Sequence, residues 1–204
     1  MIGIVDYGLG NLVSVAAAVS RLNFEPTVTA DPDVLASCDK IILPGVGAFA
    51  DGMRNLTERS LIEPLTQFVM EGGRPILGIC LGAQLISQTS DEFGVTSGLG
   101  WIDARCHKLA PKDPTLKVPH VGWNNLVMKR DDPLFLEIPH DALFYYVHSY
   151  FIAPDDGNLV IGECDYGIRF SSVLRYKNIC ATQFHPEKSQ IHGLTLLRNF
   201  LKDT

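Results

Sequence analysis

Strand-like and helix-like stretches alternate through the first half of the chain, and this alternation limits the possible folds more than any other feature. Apolar runs typical of buried strands lie at residues 2–6, 26–30, 40–43 and 75–79. Stretches with helical spacing lie at residues 12–22, 61–71 and 83–88. Because strands that alternate with helices form βαβ units with right-handed crossovers, the pattern predicts a mostly parallel central sheet flanked by helices.

From about Leu99 onward, β-like runs follow one another without intervening helices. They cover residues 101–109, 144–152, 159–163, 171–176 and 180–184, and prolines and glycines separate them. Residues 193–201 then have the spacing of a closing amphipathic helix. The pattern in the second half therefore predicts an antiparallel β region that is added to the parallel sheet. We expect both regions to form a single α/β domain that spans residues 1–204.

Charge and hydropathy exclude several classes of ligand. The formal net charge is -6, and the sequence contains no cluster of lysines and arginines that could follow a phosphate backbone. No apolar run approaches the ~20 residues that span a bilayer, and the N-terminus has no basic leader of the kind that directs secretion. We therefore expect a cytoplasmic protein that binds neither nucleic acid nor a membrane.

One cysteine stands in a setting that favours nucleophilic chemistry. The sequence GICLG at residues 78–82 follows a strand-like run and precedes a helix, which is the strand–turn–helix context of a nucleophile elbow with Cys80 at its centre. Glycines on both sides are needed because a Cβ there would crowd the neighbouring strand or helix. The adjoining helix N-terminus favours a thiolate, and the backbone N–H of Leu81 is placed to receive a developing oxyanion.

A base and its orienting carboxylate follow the last β-like run, in the sequence QFHPEKS at residues 183–189. Residues i and i+2 of an extended chain point to the same side, so we expect His185 and Glu187 to lie together. A carboxylate at one imidazole nitrogen sets the tautomer, and the other nitrogen then faces the thiol. No other ligand spacing supports a metal at these residues, and no C-x-x-C pair occurs among the five cysteines, so no metal or cofactor is expected.

These motifs resemble those of the class I glutamine amidotransferases. The blocks that carry the resemblance are PILGICLGAQ at residues 75–84, FHPE at 184–187 and LPGVG at 43–47. Further blocks lie at residues 6–12, 118–124 and 145–150, so the resemblance covers the chain in order. It implies a flavodoxin-like core with added antiparallel strands, and a Cys80–His185–Glu187 triad that hydrolyses glutamine to glutamate and ammonia.

The resemblance also implies roles for residues around the triad. The oxyanion hole would be formed at Val46, Gly47 and Leu81, and the amino-acid end of glutamine would be held by Gln84, His148, Ser149 and Tyr150. A synthase partner with a (β/α)8 barrel would consume the ammonia in a heterodimer. The residues that match positions at or near that interface are Pro119, His120, Gly122, Trp123, Tyr145 and Lys188.

Other readings of the sequence stay open at this stage. A stand-alone cysteine hydrolase or peptidase would share the elbow, a binding-only relative would have lost the chemistry, and a paralogue would feed ammonia to a different acceptor. The sequence GLG at residues 8–10 suggests a dinucleotide fingerprint, but Val13 occupies the place of its third glycine. His107, His140 and His192 have polar or proline-rich neighbours and are expected to face solvent, whereas Trp123 fits either the core or an interface.

Overall fold

A computed structural model of the chain describes residues 1–202. Fourteen strands occur in this part of the chain. In chain order, they are Ile2–Val5 (β1), Pro26–Thr29 (β2), Lys40–Gly45 (β3), Ile76–Cys80 (β4), Thr89–Ser90 (β5), Thr96–Ser97 (β6), Ala104–Lys108 (β7), His120–Asn125 (β8), Val127–Met128 (β9), Leu143–His148 (β10), Tyr150–Pro154 (β11), Val160–Asp165 (β12), Arg169–Tyr176 (β13) and Ile179–Thr182 (β14).

Six α-helices lie among these strands in the described residues. They are Leu12–Arg21 (α1), Pro32–Ala36 (α2), Phe49–Glu58 (α3), Ile62–Thr66 (α4), Leu81–Leu85 (α5) and Gln190–Lys202 (α6). A π-helical turn at Gln67–Glu71 extends α4, and short 3-10 turns occur at Pro133–Phe135, Gly157–Leu159 and Pro186–Lys188.

The largest sheet has eight strands in the order β2–β1–β3–β4–β14–β13–β12–β9. Its strands are parallel from β2 to β14 and antiparallel from β14 to β9. This mixed sheet confirms the predicted fold class. The consequence for function is that β4 and β14, which are far apart in sequence, are parallel neighbours and end at the same edge.

Two hydrophobic layers cover the faces of this sheet. One layer contains Val15 of α1 and Leu197 of α6, and the other contains Leu56 of α3 and Leu65 of α4. Alternate residues of β3 enter opposite layers, as the period of a buried strand requires. The helices therefore lie on both sides of the parallel strands, and the strand ends are left for the site.

Two smaller sheets, β10–β8 and β11–β7–β5–β6, stand beside the carboxyl ends of the parallel strands. The predicted continuous run at residues 144–152 is wrong in this respect, because the chain breaks at Ser149 and β10 and β11 belong to different sheets. Phe144 of β10 packs into one hydrophobic layer and Ile152 of β11 into the other. The break lets one apolar segment serve both layers.

Two helices and four strands were not predicted from the sequence: α2, α3, β5, β6, β8 and β9. Helix α3 contains Gly52, which lowers helix propensity. A Cβ on Gly52 would lie 3.0 Å from Leu85, so this glycine permits the close approach of α3 to α5. Packing between helices therefore explains a residue that weakens the local helical signal. Within residues 1–202, no helix is both long and apolar enough to cross a membrane.

Candidate active site

Cys80 lies at the sharp turn between β4 and α5. Its backbone has φ 53 and ψ -109, a conformation that few non-glycine residues adopt. A Cβ on Gly78 would lie 2.8 Å from the backbone of Ala83, and a Cβ on Gly82 would overlap the carbonyl oxygen of Leu43. The predicted need for glycine on both sides of the cysteine is therefore confirmed, since one neighbour meets the helix and the other meets the strand.

The segment that carries His185 begins where β14 ends beside β4. Thr182 pairs with Ile79 in the parallel register, so the chain leaves β14 close to the cysteine turn. Nδ1 of His185 is 2.9 Å from Oε1 of Glu187, which confirms the predicted pairing. The reason given from the sequence is wrong, however, because Pro186–Lys188 forms a 3-10 turn and is not extended.

The other nitrogen of His185 faces the cysteine. Nε2 is buried and makes no well-formed hydrogen bond within the protein. Burial acts to lower the pKa of His185, but hydrogen bonding to Cys80 and Glu187 and the negative charge of both partners outweigh it and raise the pKa. The two partners therefore favour the charged form of the ring. The structure brings the three predicted triad side chains together in this order.

A cavity of about 340 Å³ opens above Cys80 and His185. Its volume is within the range of small-molecule sites. The other predicted oxyanion and substrate residues all line it: Val46, Gly47, Leu81, Gln84, His148, Ser149 and Tyr150. The structure therefore gathers in one place every residue that the sequence assigns to the triad's surroundings, although their individual roles remain predictions.

Glycine is required on each side of Val46 for a different structural reason. Gly47 has φ 108, where side chains are strained. Gly45 pairs with Cys80 in the sheet, and a Cβ there would collide with the phenol oxygen of Tyr7 and lie 2.7 Å from the backbone nitrogen of Gly82. Close packing under the cysteine turn thus requires Gly45, while backbone conformation requires Gly47.

Gln84 is held by a buried network of amides. Its Nε2 donates to the carbonyl oxygen of Tyr150 at 2.8 Å and to Oε1 of Gln183 at 3.2 Å. Nε2 of Gln183 is in turn 3.8 Å from the sulfur of Cys80. Because the amide nitrogen of Gln84 is already used, its oxygen is the atom left to meet a positively charged group in the cavity.

Sequence reasoning missed two residues of the site. Gln183 is buried, and it lies two positions before His185, so the period of an extended chain is the signal that could have revealed it. Glu92 lines the cavity from the segment between β5 and β6, and its Oε2 accepts a hydrogen bond of 2.7 Å from the backbone nitrogen of Phe49. No local pattern marks Glu92, because its position depends on how this segment packs against α3.

Three residues predicted near the interface form a group on one surface, in which Trp123 and Lys188 are exposed and Tyr145 is half-buried. Trp123 is 44% exposed and packs edge-on against Tyr145, with ring centroids 5.9 Å apart. Nζ of Lys188 lies 5.9 Å from the centroid of Tyr145. Pro119 is exposed and Gly122 half-buried on the segment that carries Trp123. Trp123 is therefore accessible at the surface and is not a core residue.

His120 differs from the other predicted interface residues. It is 2% exposed, and its ring stacks against Tyr146 and Tyr166 at centroid distances of 4.8 and 4.0 Å. Its side chain therefore points inward, because strand alternation turns it away from the exposed group, and its place at or near the interface stays a prediction. Val121 and Trp123, which flank Gly122 on the same strand, point outward and are exposed.

The remaining histidines and cysteines lie outside the cavity. His107 and His140 are exposed, as predicted, but His192 is half-buried and packs near Phe144. The other four cysteines are buried and form no disulfide: Cys38, Cys106, Cys164 and Cys180. Among the described residues, no group of three or more His, Cys, Asp or Glu side chains could hold a metal ion.

Comparison with known proteins gives a consistent result over the whole chain. The family model for "Glutamine amidotransferase class-I" matches residues 3–204. The chain is 47% identical to "Imidazole glycerol phosphate synthase subunit HisH" of Geobacter sulfurreducens, covering 98% of this chain and 97% of the relative. It is 45% identical to the protein of the same name from Syntrophotalea carbinolica, with 98% of each chain covered.

A solved structure shows the same fold at much lower sequence identity. It is described as "Crystal structure of glutamine amidotransferase", and it matches with a TM-score of 0.75 at 19% identity, covering 98% of this chain and 96% of that chain. At this identity the likeness concerns the fold alone.

Proposed function

Because the chain belongs to the class I glutamine amidotransferase family, whose members hydrolyse glutamine, we propose that it is the glutaminase subunit of an imidazole glycerol phosphate synthase. In this role it acts as a single glutaminase domain in histidine biosynthesis. The observation that carries the proposal is that Cys80 and the His185–Glu187 pair open onto one cavity.

In the first step the Cys80 thiolate, whose proton is held by His185, attacks the side-chain carbonyl carbon of glutamine. A carbon–sulfur bond forms, and the carbonyl oxygen becomes a tetrahedral oxyanion. Backbone N–H groups of Leu81 and of the Val46–Gly47 segment receive this charge. Removing one such donor in comparable enzymes costs about 3–4 kcal/mol of transition-state stabilisation.

His185 moves the protons of both half-reactions. Its raised pKa keeps the ring protonated beside the sulfur, so the ring can give a proton to the departing nitrogen, which leaves as ammonia. The resulting glutamyl thioester is hydrolysed by a water that the neutral ring activates, and glutamate is released. Glu187 holds Nδ1 throughout and stabilises the imidazolium.

The amino-acid end of glutamine lies at the opposite side of the cavity. The free oxygen of Gln84 and the carboxylate of Glu92 suit the α-ammonium group, since both are acceptors and one is charged. Ser149 and Tyr150 border the same region, so the substrate is oriented with its amide toward Cys80.

The ammonia passes to a synthase subunit with a (β/α)8 barrel, which forms imidazole glycerol phosphate and AICAR. Ammonia released into water would be protonated and lost as a nucleophile, so transfer requires a closed interface between the subunits. We assign to this interface the exposed Trp123 and Lys188 and the half-buried Tyr145, together with Pro119 and Gly122.

A pair of assays on the assembled complex tests the division of labour. Cys80→Ala should abolish synthesis from glutamine by at least about 1000-fold, because the nucleophile is lost, and it should leave synthesis from ammonium salts unchanged. Loss of both reactions would contradict the proposal. Ammonia-dependent activity with a different acceptor would identify a paralogue, and turnover of peptides without turnover of glutamine would identify a stand-alone hydrolase.

A further inference from the structure

A chain of hydrogen bonds, which becomes buried at His120, connects Asn124 of β8 with the wall of the glutamine cavity. It begins at Asn124, whose Oδ1 accepts from the backbone nitrogen of Asn125 at 2.8 Å and whose Nδ2 donates to the carbonyl oxygen of Asp165 at 3.0 Å. These two backbone groups fix which way the amide faces. The same Nδ2 lies 3.4 Å from Nε2 of His120, so it presents an N–H to that ring nitrogen.

The other end of the chain fixes the remaining protons. Nδ1 of His148 is 2.9 Å from the carbonyl oxygen of Tyr150, which can only accept, so Nδ1 carries the hydrogen. In a neutral ring, Nε2 of His148 then has a lone pair. Nδ1 of His120 lies 3.1 Å from it and must be the donor. His120 therefore has its own lone pair on Nε2, where the N–H of Asn124 arrives.

The contacts at Asn124 and at Tyr150 thus both require the Nδ1–H tautomer in His120 and in His148. The environment keeps the two rings neutral, because burial lowers the pKa of His120 to about 4 and that of His148 to about 3. A second positive charge beside the charged His185 would also be unfavourable. Each hydrogen bond in this series is consequently donated in the same direction, from Asn124 toward Tyr150.

The chain of hydrogen bonds ends in the wall of the cavity. The carbonyl oxygen of Tyr150 accepts from His148 and also from Gln84, and all three residues line the cavity. Both ring nitrogens of His148 are engaged within the protein, so this residue orients the cavity wall and does not bind glutamine through its nitrogens. The alternation of β8 is also informative: the buried His120 and the half-buried Asn124 lie on one face of the strand, while Val121 and Trp123 are exposed on the other face, at the surface assigned to docking.

We propose that Asn124 and His120 are positioning residues for glutamine, which act through His148 by fixing the orientation of the Tyr150 carbonyl and of Gln84. This inference rests on the proposed glutaminase function. It assigns the two residues a role in binding glutamine although neither lines the cavity.

The tautomers can be tested directly by nitrogen-15 NMR of the histidine rings in the full chain. Wild-type protein should show His120 and His148 both as neutral Nδ1–H tautomers at pH 7. Asn124→Asp replaces the donor with an acceptor of the same shape, so Nε2 of His120 should become protonated. Asn125→Asp makes the same charge change on the exposed neighbour and should leave both rings unaltered. An unchanged His120 ring in Asn124→Asp would overturn the assignment.

Glutamine affinity tests the positioning role. It is measured by calorimetry on the isolated chain in a Cys80→Ala background, so neither turnover nor docking contributes. Asn124→Asp should weaken binding about tenfold, the size of one lost buried hydrogen bond, and Asn125→Asp should change it less than about twofold. A changed tautomer with unchanged affinity would overturn the positioning role. Failure of the Cys80→Ala parent to bind glutamine would count against the proposed function, while the NMR result would still decide the tautomers.

A second pair of variants separates the proton from the packing of the ring. His120→Asn and His120→Leu both remove the ring and have nearly the same shape, but only asparagine can still donate toward His148. The asparagine variant should bind glutamine about fivefold more tightly than the leucine variant. Equal affinities would show that His120 acts by filling space between Tyr146 and Tyr166, and would overturn the proposal.

Discussion

At the scale of single residues, the backbone turn at Cys80 depends on the glycines beside it. Cys80 is held at positive φ because β4 and α5 meet there with no intervening loop. Gly82 lies where a Cβ would overlap the carbonyl oxygen of Leu43 in the adjacent strand. Backbone atoms of a central strand cannot shift cheaply, so the space around the cysteine turn is set by the sheet itself.

Substitution of Gly82 tests this view of the turn. Gly82→Ala should lower the free energy of unfolding by about 3 kcal/mol or more, since the new methyl group overlaps a strand carbonyl. Gly157→Ala is the matched control, because nothing lies within 4 Å of its added Cβ, and its effect should stay within about 0.5 kcal/mol. Urea denaturation of both variants measures the difference. Equal stabilities would show that the strand can yield at Leu43.

The two neutral histidines give the fold a pH dependence of known sign. Their folded pKa values, about 4 for His120 and about 3 for His148, lie below the ordinary value of 6.5. The unfolded chain therefore binds more protons, and stability falls as pH drops from about 6.5 toward the folded values. The titratable groups that face these rings are Tyr146, Tyr166 and His185.

Removing one ring should reduce this acid sensitivity. Between pH 7 and pH 5, which lies above most carboxylate titration, His120 should account for about 2 kcal/mol of the lost stability. His120→Asn should therefore lose about that much less than wild-type protein over this interval. The raised pKa of His185 acts in the opposite direction, but His185 is present in both proteins and cancels in the difference. Parallel stability curves would contradict the expectation.

At the scale of elements, local patterns predicted the parallel strands and the elbow but not the contacts between distant segments. The GICLG sequence identified the end of β4 and the start of α5 because glycine, cysteine and apolar residues are constrained there by local geometry. The pairing of His185 with Glu187 was also predicted, although the chain achieves it by a 3-10 turn. What local pattern could not supply was the register of β14 on β4, which brings His185 to the cysteine.

Residues whose position depends on packing were missed for the same physical reason. Glu92 reaches the cavity only because the segment between β5 and β6 packs against α3, and helix α3 itself was obscured by Gly52. His120 was matched to a position at or near the interface through the family resemblance, and only the direction of β8 shows that its ring points inward. Strand direction, which decides the face of each residue, cannot be read from so short and glycine-containing a run.

Glu92 has two separable effects that follow from this packing. The N-cap residue of α3, Ala48, offers no side-chain acceptor, and Oε2 of Glu92 accepts from Phe49 instead. Glu92→Ala should therefore destabilise the fold by about 1 kcal/mol, as for a lost helix cap. Glu92→Gln keeps an acceptor oxygen and should retain most of this stability, but it loses the charge that suits the α-ammonium group of glutamine.

Thermal unfolding and glutamine KM separate the two effects. Both variants should have a higher KM for glutamine, and only the alanine variant should also unfold at a clearly lower temperature. A normal KM in Glu92→Gln would show that the carboxylate supports the helix and does not contact the substrate.

At the scale of the whole molecule, the assigned docking surface and the active site share a strand and a turn. The backbone nitrogen of His185 donates a 2.9 Å hydrogen bond to the carbonyl oxygen of Tyr145. The backbone nitrogen of Tyr145 donates to the hydroxyl oxygen of Ser189 at 3.0 Å. The half-buried ring of Tyr145 contacts both Trp123 and Lys188. A partner that contacts this ring would therefore be connected, through these hydrogen bonds, to the segment that carries His185.

This arrangement predicts that ammonia transfer depends on the Trp123 surface more than glutamine hydrolysis does. The assembled complex is supplied with glutamine labelled with nitrogen-15 in its amide and with an excess of unlabelled ammonium. A closed interface should give product that keeps the label at every ammonium concentration. Trp123→Ala should open the interface and dilute the label, because a large aromatic side chain at the seal is lost.

An exposed apolar residue away from this surface provides the control. Leu136 is 64% exposed and follows the 3-10 turn at Pro133–Phe135, so Leu136→Ala should leave the label undiluted. Mass spectrometry of the product measures the isotope ratio in each case. Because Trp123 does not line the cavity around Cys80, glutamate should still form in Trp123→Ala when its product label is diluted. Dilution in the wild-type complex, in proportion to added ammonium, would mean that ammonia escapes into solvent before it reacts.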